Sequence, residues 1–184
     1  LRPDLIAIGK GLAGGYQPIG AMLCSSTIYQ TLKETSGALM GGHTYMGHPI
    51  ACAAGLAVQQ TVVEDKLLEN VIAMGKQLET ALHDIFDSHP HIGNIRGRGL
   101  FWGIELLQDK ASKQPFPAQL HLHSKIKHLA MDAGLICYPG GGTIDGINGD
   151  HILLAPPFII NTEQLLEITE KLQATINQAI AEIS

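Results

Sequence analysis

Apolar residues recur every three or four positions along two stretches of the chain, and these predict its clearest elements. Leu67, Val71, Met74, Leu78, Leu82 and Ile85 form one stripe, with Glu64, Asp65, Lys66, Glu69, Lys76 and Glu79 filling much of the remaining surface. That period predicts a long amphipathic helix ending near Ser88, His89 and Pro90. The second stripe is Leu165, Ile168, Leu172, Ile176 and Ile180. It predicts a last helix capped by Asn161 or Thr162. Pro49 opens a third helical segment, PIACAAGLAVQQ. Its alanines and glycine let another backbone come close, so it is expected to be buried.

Short apolar runs supply the strands. Residues 4–8 read as a buried strand, because the run is brief and bounded by turn residues. Residues 18–26 (PIGAMLCSS) read as a second strand, leading to a helix capped by Ser26 or Thr27 that stops near Gly37. Residues 99–107, 135–138 (LICY) and 152–155 read as further strands, and residues 120–131 as a helix. Residues 36–49 form a loop rich in Gly, Ser, His and Thr. After residue 90 strands and helices alternate, which predicts a small α/β layer domain. Before residue 63 the pattern looks like part of a larger sheet.

Composition narrows the function classes. The chain has 184 residues, 45% hydrophobic and 16% charged, which suits a globular core rather than disorder. Its net charge of −5 gives no footprint for nucleic acid or an anionic membrane surface. No apolar run approaches transmembrane length and no signal peptide is visible. Cys24, Cys52 and Cys137 are odd in number and form no CxxC pair. Neither a disulfide framework nor a zinc ribbon is expected, and a reducing cytoplasm is the expected setting. The chain opens on Leu1 directly ahead of a core strand, which gives the expectation of a fragment lacking its upstream half.

Lys10 is the first candidate for chemistry. It follows the apolar run of residues 5–8 and sits among Gly9, Gly11, Gly14 and Gly15. An ammonium at the end of a buried strand is costly unless paired or neutralised. Burial lowers a lysine's pKa and frees the amine to attack carbonyls, so Lys10 reads as a Schiff-base former; the alternative is a surface lysine in a Gly-rich turn. The loop GGHTYMGHP is the second candidate. Backbone N–H groups and the Thr44 hydroxyl are what a phosphate needs, and a helix start follows at once. An ordinary loop and cap remains the alternative there.

Other features are weaker. Gly9, Lys10 and Gly11 do not make a phosphate-binding P-loop, because Asp4 stands where the required glycine would be and Gly11 replaces Ser/Thr. His121 and His123 are two apart on a predicted helix, which aims them at different faces, so no metal site is expected. Gly140, Gly141 and Gly142 read as a turn, and His48, next to Pro49, as a packed or capping histidine.

Together the segments become specific. PDLIAIGKGLAGGYQPIGAM, then GGHTYMGHPIACAAGLAV, RGRGLFWGIEL and HILLAPPFII, in that order, resemble the class III family of pyridoxal-phosphate aminotransferases. The resemblance covers essentially the whole chain, as that family's carboxyl-terminal part starting just before the Schiff-base lysine. It implies an α/β chain of the PLP-dependent transferase fold (fold type I). Residues 1–62 would end the large PLP-binding domain, and residues 63–184 would form the linking helix and the small carboxyl-terminal domain.

The resemblance also implies the site. Lys10 would form the internal aldimine with pyridoxal 5'-phosphate and act as general acid and base. Thr44 would bind the cofactor phosphate across a homodimer interface, and His43 would add a backbone amide. The implied reaction moves an amino group to a 2-oxo acid. Family members also carry an aspartate against the pyridine nitrogen and a main phosphate loop upstream of Lys10. Neither is in this sequence, so the chain alone is expected to be inactive.

Two departures bear on the donor. Many members carry an arginine before the Pro–Pro pair to hold a substrate carboxylate. Leu153 stands there in this chain, and Tyr138 stands where some amine-using relatives place one. The expected donor is therefore an ω-amino acid, a diamine or an amine. Arg96 and Arg98 read as structural residues ahead of a core strand. The alternatives are an aminomutase, racemase or decarboxylase of the same fold, or a non-catalytic module.

Overall fold

The computed structural model describes residues 2–183, and its chain divides into two units after Lys66. Leu1, from which the expectation of a missing half starts, lies outside the described residues.

The first unit is built on a two-stranded antiparallel ribbon. Strand β1 (Leu5–Ile8) pairs with β2 (Ala21–Cys24), Leu5 opposite Cys24 and Ile8 opposite Ala21. All eight positions of the pair are exposed. The expectation of a buried strand at residues 4–8 is therefore wrong for this chain: no layer lies on either face of the ribbon. Helix α1 (Ser26–Thr35) follows, with no buried residue. Its cap is Ser25, not Ser26 or Thr27. The Ser25 hydroxyl accepts from Ile28 N and donates to Asp4 Oδ1 at 3.1 Å, tying the helix start to the ribbon.

Helix α2 (Pro49–Glu64) begins at the proline, as the fixed φ and missing N–H of that residue favour. His48 caps it, its Nδ1 accepting from Ala51 N at 3.4 Å. Only Ala51 and Gly55 are buried, so the expected full burial of this helix is also corrected. Its small-residue side lies on the turn that follows β1. A Cβ on Gly55 would sit 3.9 Å from Leu12 O, and Gln59 Nε2 donates to that same carbonyl at 3.1 Å.

The second unit has a four-stranded antiparallel sheet, order β3-β4-β6-β5, with helices against one face. Its elements are α3 (Leu67–Phe86), β3 (Ile92–Arg98), β4 (Phe101–Leu106), α4 (Leu122–Asp132), β5 (Tyr138–Gly140), β6 (Asp150–Leu154) and α5 (Thr162–Ala181). Trp102, Ile104, Leu106, Ile152 and Leu154 point inward and form one core with Leu78, Leu82 and Phe86 of α3, Ile126 of α4, and Leu165, Leu172 and Ile176 of α5. Both predicted helical stripes thus face the sheet. Asn161 caps α5 in a reciprocal box with Gln164.

The predicted boundaries shift where backbone chemistry outweighs side-chain pattern. Glu64 ends α2, and Asp65 and Lys66 make a corner (Lys66 φ 53°), so none of the three covers α3. His121 has φ 48° and separates a 3-10 turn (Ala118–Leu120) from α4, so it is not a helix residue. Leu135 is not in a strand. Its N–H donates to Ala130 O at 2.7 Å and that of Gly134 to Met131 O at 3.0 Å, closing α4 in a Schellman motif. Strand β5 starts only at Tyr138, and Gly140 is its last residue rather than part of a turn.

Candidate active site

Lys10 stands where β1 ends. Gly9 is extended, Lys10 takes φ 53°, and a 3-10 turn (Lys10–Ala13) follows, closed by Gly14 at φ 57°. Leu12 N donates to Gly9 O at 3.1 Å and Gly14 N to Gly11 O at 3.0 Å. Ala13 is fully buried and anchors the turn under α2, while Lys10 itself is exposed. The premise of an ammonium held in a buried strand end therefore does not hold within this chain. What sets Lys10 apart is its backbone. A left-handed non-glycine residue costs about 1–2 kcal/mol, and here it lies between two glycines that could have taken that conformation freely. Lys66 and Lys113 share this φ, so the conformation supports a role without proving one.

The amine is accessible. Among the described residues Lys10 Nζ has no ion pair or side-chain hydrogen bond, and a Cβ on Gly11 would meet nothing within 4 Å. A primary amine in open space beside small residues can receive an aldehyde.

Thr44 opens a turn over residues 44–47 that leads into α2. Met46 N donates to His43 O at 2.9 Å, His48 N to Tyr45 O at 3.1 Å, and Gly47 sits at φ 71°. His43 and Thr44 are exposed, and among the described residues no hydrogen bond engages the Thr44 hydroxyl or the His43 ring. A Cβ on Gly41 would meet nothing within 4 Å. This is a free hydroxyl on an open loop, the chemistry a phosphate oxygen accepts. Among the described residues no hydrogen bond or ion pair joins Lys10 to Thr44 or His43.

Arg96 and Arg98 lie on β3, an element that the sequence pattern hides. IGNIRGR does not alternate, because a bulge between Ile92 and Asn94 lets Ile92 and Ile95 share the core face. Beyond the bulge Asn94, Arg96 and Arg98 share the open face. Three register rows cross that face. Arg98 lies opposite Phe101, Arg96 leads through Gly103 and Leu153 to Tyr138, and Asn94 leads through Glu105 and His151 to Gly140. The rows border a concavity of about 510 Å³ lined by Arg96, Arg98, Phe101, Gly103, Glu105 and Leu153, among others. Arg96 Nη1 donates to Asn94 Oδ1 at 2.9 Å, and among the described residues neither guanidinium is ion-paired. Neither binds a helix end, which sequence reasoning allowed. The R-G-R spacing was the signal for a shared face, and it was readable only once the strand was known.

The remaining candidates are structural. His123 Nδ1 lies 2.6 Å from Asp150 Oδ1, a buried carboxylate, and a Cβ on Gly141 would meet that imidazole at 2.6 Å. Burial pushes the Cys137 thiol up, away from nucleophilic duty. All three cysteines are free. Among the described residues no helix is long and apolar enough to cross a membrane.

Known proteins resemble this chain along nearly all of its length. The family model for class-III aminotransferases matches residues 1–176. An uncharacterized aminotransferase of Schizosaccharomyces pombe is 48% identical over 181 residues, covering 98% of this chain and 39% of that protein. A transaminase from the marine bacterium Virgibacillus superposes with a TM-score of 0.92 at 32% identity, covering 100% of this chain and 41% of that one. A PLP-bound aminotransferase mutant from Vibrio fluvialis superposes at 0.89 with 33% identity, covering 100% and 39%. The chain thus spans about two fifths of the length of these relatives.

Proposed function

The chain belongs to the class-III aminotransferases and has the PLP-dependent transferase fold, and on that premise we propose that its protein transfers an amino group from an ω-amino acid, diamine or amine to a 2-oxo acid with pyridoxal 5'-phosphate. The observation that carries the reading is Lys10: an exposed, unpartnered amine in a left-handed turn at the end of β1. The cofactor fits the groups present. Lys10 Nζ suits its aldehyde, and the Thr44 hydroxyl with the His43 backbone amide suits its phosphate. When bound, pyridoxal phosphate supplies an electron sink for the carbon that bears the amine.

The chain's own residues have defined work. Lys10 Nζ holds the cofactor until the donor amine displaces it. The freed Nζ then takes the proton from the donor carbon and returns it later, so one atom serves as anchor, base and acid. The glycines beside it leave room for that exchange. Thr44 and His43 act in the site of a partner subunit in a homodimer, which agrees with the lack of a bond from their loop to Lys10 within one chain. Residues 1–62 complete the large PLP-binding domain, and residues 63–184 provide the linking helix and small domain. Three free thiols suit a reducing cytoplasm.

The donor class rests on Leu153 and Tyr138, which offer no guanidinium at the positions where the resemblance would place one. The test is 2-oxo-acid-dependent amino transfer by the full-length protein across a donor series. Transfer from amines or ω-amino acids that falls at least about a thousandfold in Lys10→Ala is expected. A strong preference for α-amino acids would overturn the donor class, and activity that survives Lys10→Ala would overturn the site.

A further inference from the structure

The open face of the second unit's sheet holds two guanidiniums with no carboxylate bound to them, against one carboxylate, Glu105, in the same concavity. Unpaired arginines on a concave surface are the side chains that bind carboxylates in a forked geometry. Their strand fixes the spacing: Arg96 and Arg98 stand two residues apart on one face of β3, about 7 Å. The row through Arg96 then meets Gly103, which has no side chain, before reaching Leu153. Two strand spacings, about 10 Å, separate Arg96 from Leu153 with nothing standing between them on the face. That gap has a cationic end at Arg96 and apolar ends at Leu153 and Phe101.

We propose that Arg96, with Arg98 beside it, is the carboxylate anchor for the 2-oxo acid, and that the acid is a monocarboxylate with a short apolar chain. The carboxylate lies at the guanidinium, and the chain lies over Gly103 toward Leu153. Glu105, in the neighbouring row, repels a second carboxylate and so disfavours a diacid. The gap depends on Gly103, where a Cβ would already stand 3.4 Å from Leu153 Cδ2. The identity of the ligand rests on the aminotransferase reading, whereas carboxylate binding on this face does not.

The experiment is a calorimetric titration of the full-length protein with propionate, which carries the carboxylate and a short chain but no oxo group. Propionate is expected to bind, to bind roughly tenfold or more weakly in Arg96→Gln, to bind with intermediate strength in Arg96→Lys, and to bind Lys10→Ala unchanged. The KM for a monocarboxylate 2-oxo acid is expected to rise with the propionate Kd in Arg96→Gln, while the KM for a carboxylate-free amine donor stays put. Circular dichroism checks that each variant is folded, and Arg98→Gln stands in should Arg96→Gln fail. Propionate binding indifferent to both arginines, or an unmoved 2-oxo-acid KM in a folded variant, overturns the proposal. Arg96-dependent propionate binding in a protein without transferase activity would instead sink the aminotransferase reading and leave the carboxylate site standing.

Discussion

Leu5, Ile6, Met22 and Leu23 stand on a two-stranded ribbon at 52%, 43%, 69% and 50% exposure, whereas Ile104 and Ile152 on the four-stranded sheet are at 0%. The residue types and the antiparallel pairing are alike. What differs is the layer of helices: α3, α4 and α5 cover one face of the larger sheet, and nothing in this chain covers the ribbon. Each unit also keeps its chemistry differently. The first holds the accessible amine and hydroxyl, Lys10 and Thr44, on turns with little burial beneath them. The second holds a complete core and turns its charged groups, Arg96, Arg98 and Glu105, to the open face. An apolar run thus foretells a strand but not what lies upon it.

The largest expected effect tests that contrast directly. In the 184-residue polypeptide, Ile104→Ala or Leu172→Ala should cost about 2–5 kcal/mol in urea unfolding, since both are fully buried. Ile6→Ala should cost about 1 kcal/mol or less, in proportion to the half of its surface still in water. An Ile6→Ala cost equal to that of Ile104→Ala would break the comparison and show that the ribbon is covered in solution.

A smaller effect sharpens it at the glycines. A Cβ on Gly75 of α3 would lie 2.5 Å from Gly99 O, and one on Gly97 of β3 would lie 2.4 Å from Phe101 O. These are backbone contacts that cannot swing aside, so Gly75→Ala and Gly97→Ala should each cost about 1–3 kcal/mol. For Gly75 this outweighs the roughly 1 kcal/mol that alanine adds to helix propensity. Gly11→Ala in the first unit, with nothing within 4 Å, should stay within about 0.5 kcal/mol. Melting temperatures of the three variants give the ranking.

The smallest effect is local and depends on pH. Backbone N–H donation from Asn148, then the Asn148 side-chain amide and the Ile147 N–H, hold the Asp145 carboxyl below the usual aspartate range. A folded pKa that is depressed contributes stability above the unfolded pKa and loses it as pH falls through the folded one. Amides of Ile147 and Asn148 should therefore exchange faster on acidification through and below the usual aspartate range. In Asp145→Asn that acid-dependent rise should vanish, as measured by hydrogen exchange.

Much of the second unit was legible because packing and pattern agree. The stripes of α3 and α5 face the sheet they cover, and Asn161 caps as its side chain predicts. β3 was not legible, since its bulge destroys the alternation by which a strand is recognised. LICY misled because Leu135 spends its N–H on closing α4. In the first unit Lys10 and Thr44 were legible as chemistry through ordered motifs. Their surroundings were not, because exposure depends on what lies against a strand rather than on the strand's own residues. Lys10's left-handed backbone had no sequence signal beyond its flanking glycines.

The central claim is that Lys10 Nζ is the covalent anchor of pyridoxal phosphate. Borohydride reduction of the full-length protein with the cofactor, followed by peptide mass mapping, tests it most directly. The account predicts a phosphopyridoxyl mass on the peptide containing Lys10, and none at that site in Lys10→Ala. Stoichiometric label on another lysine, with Lys10 unmodified, would contradict it.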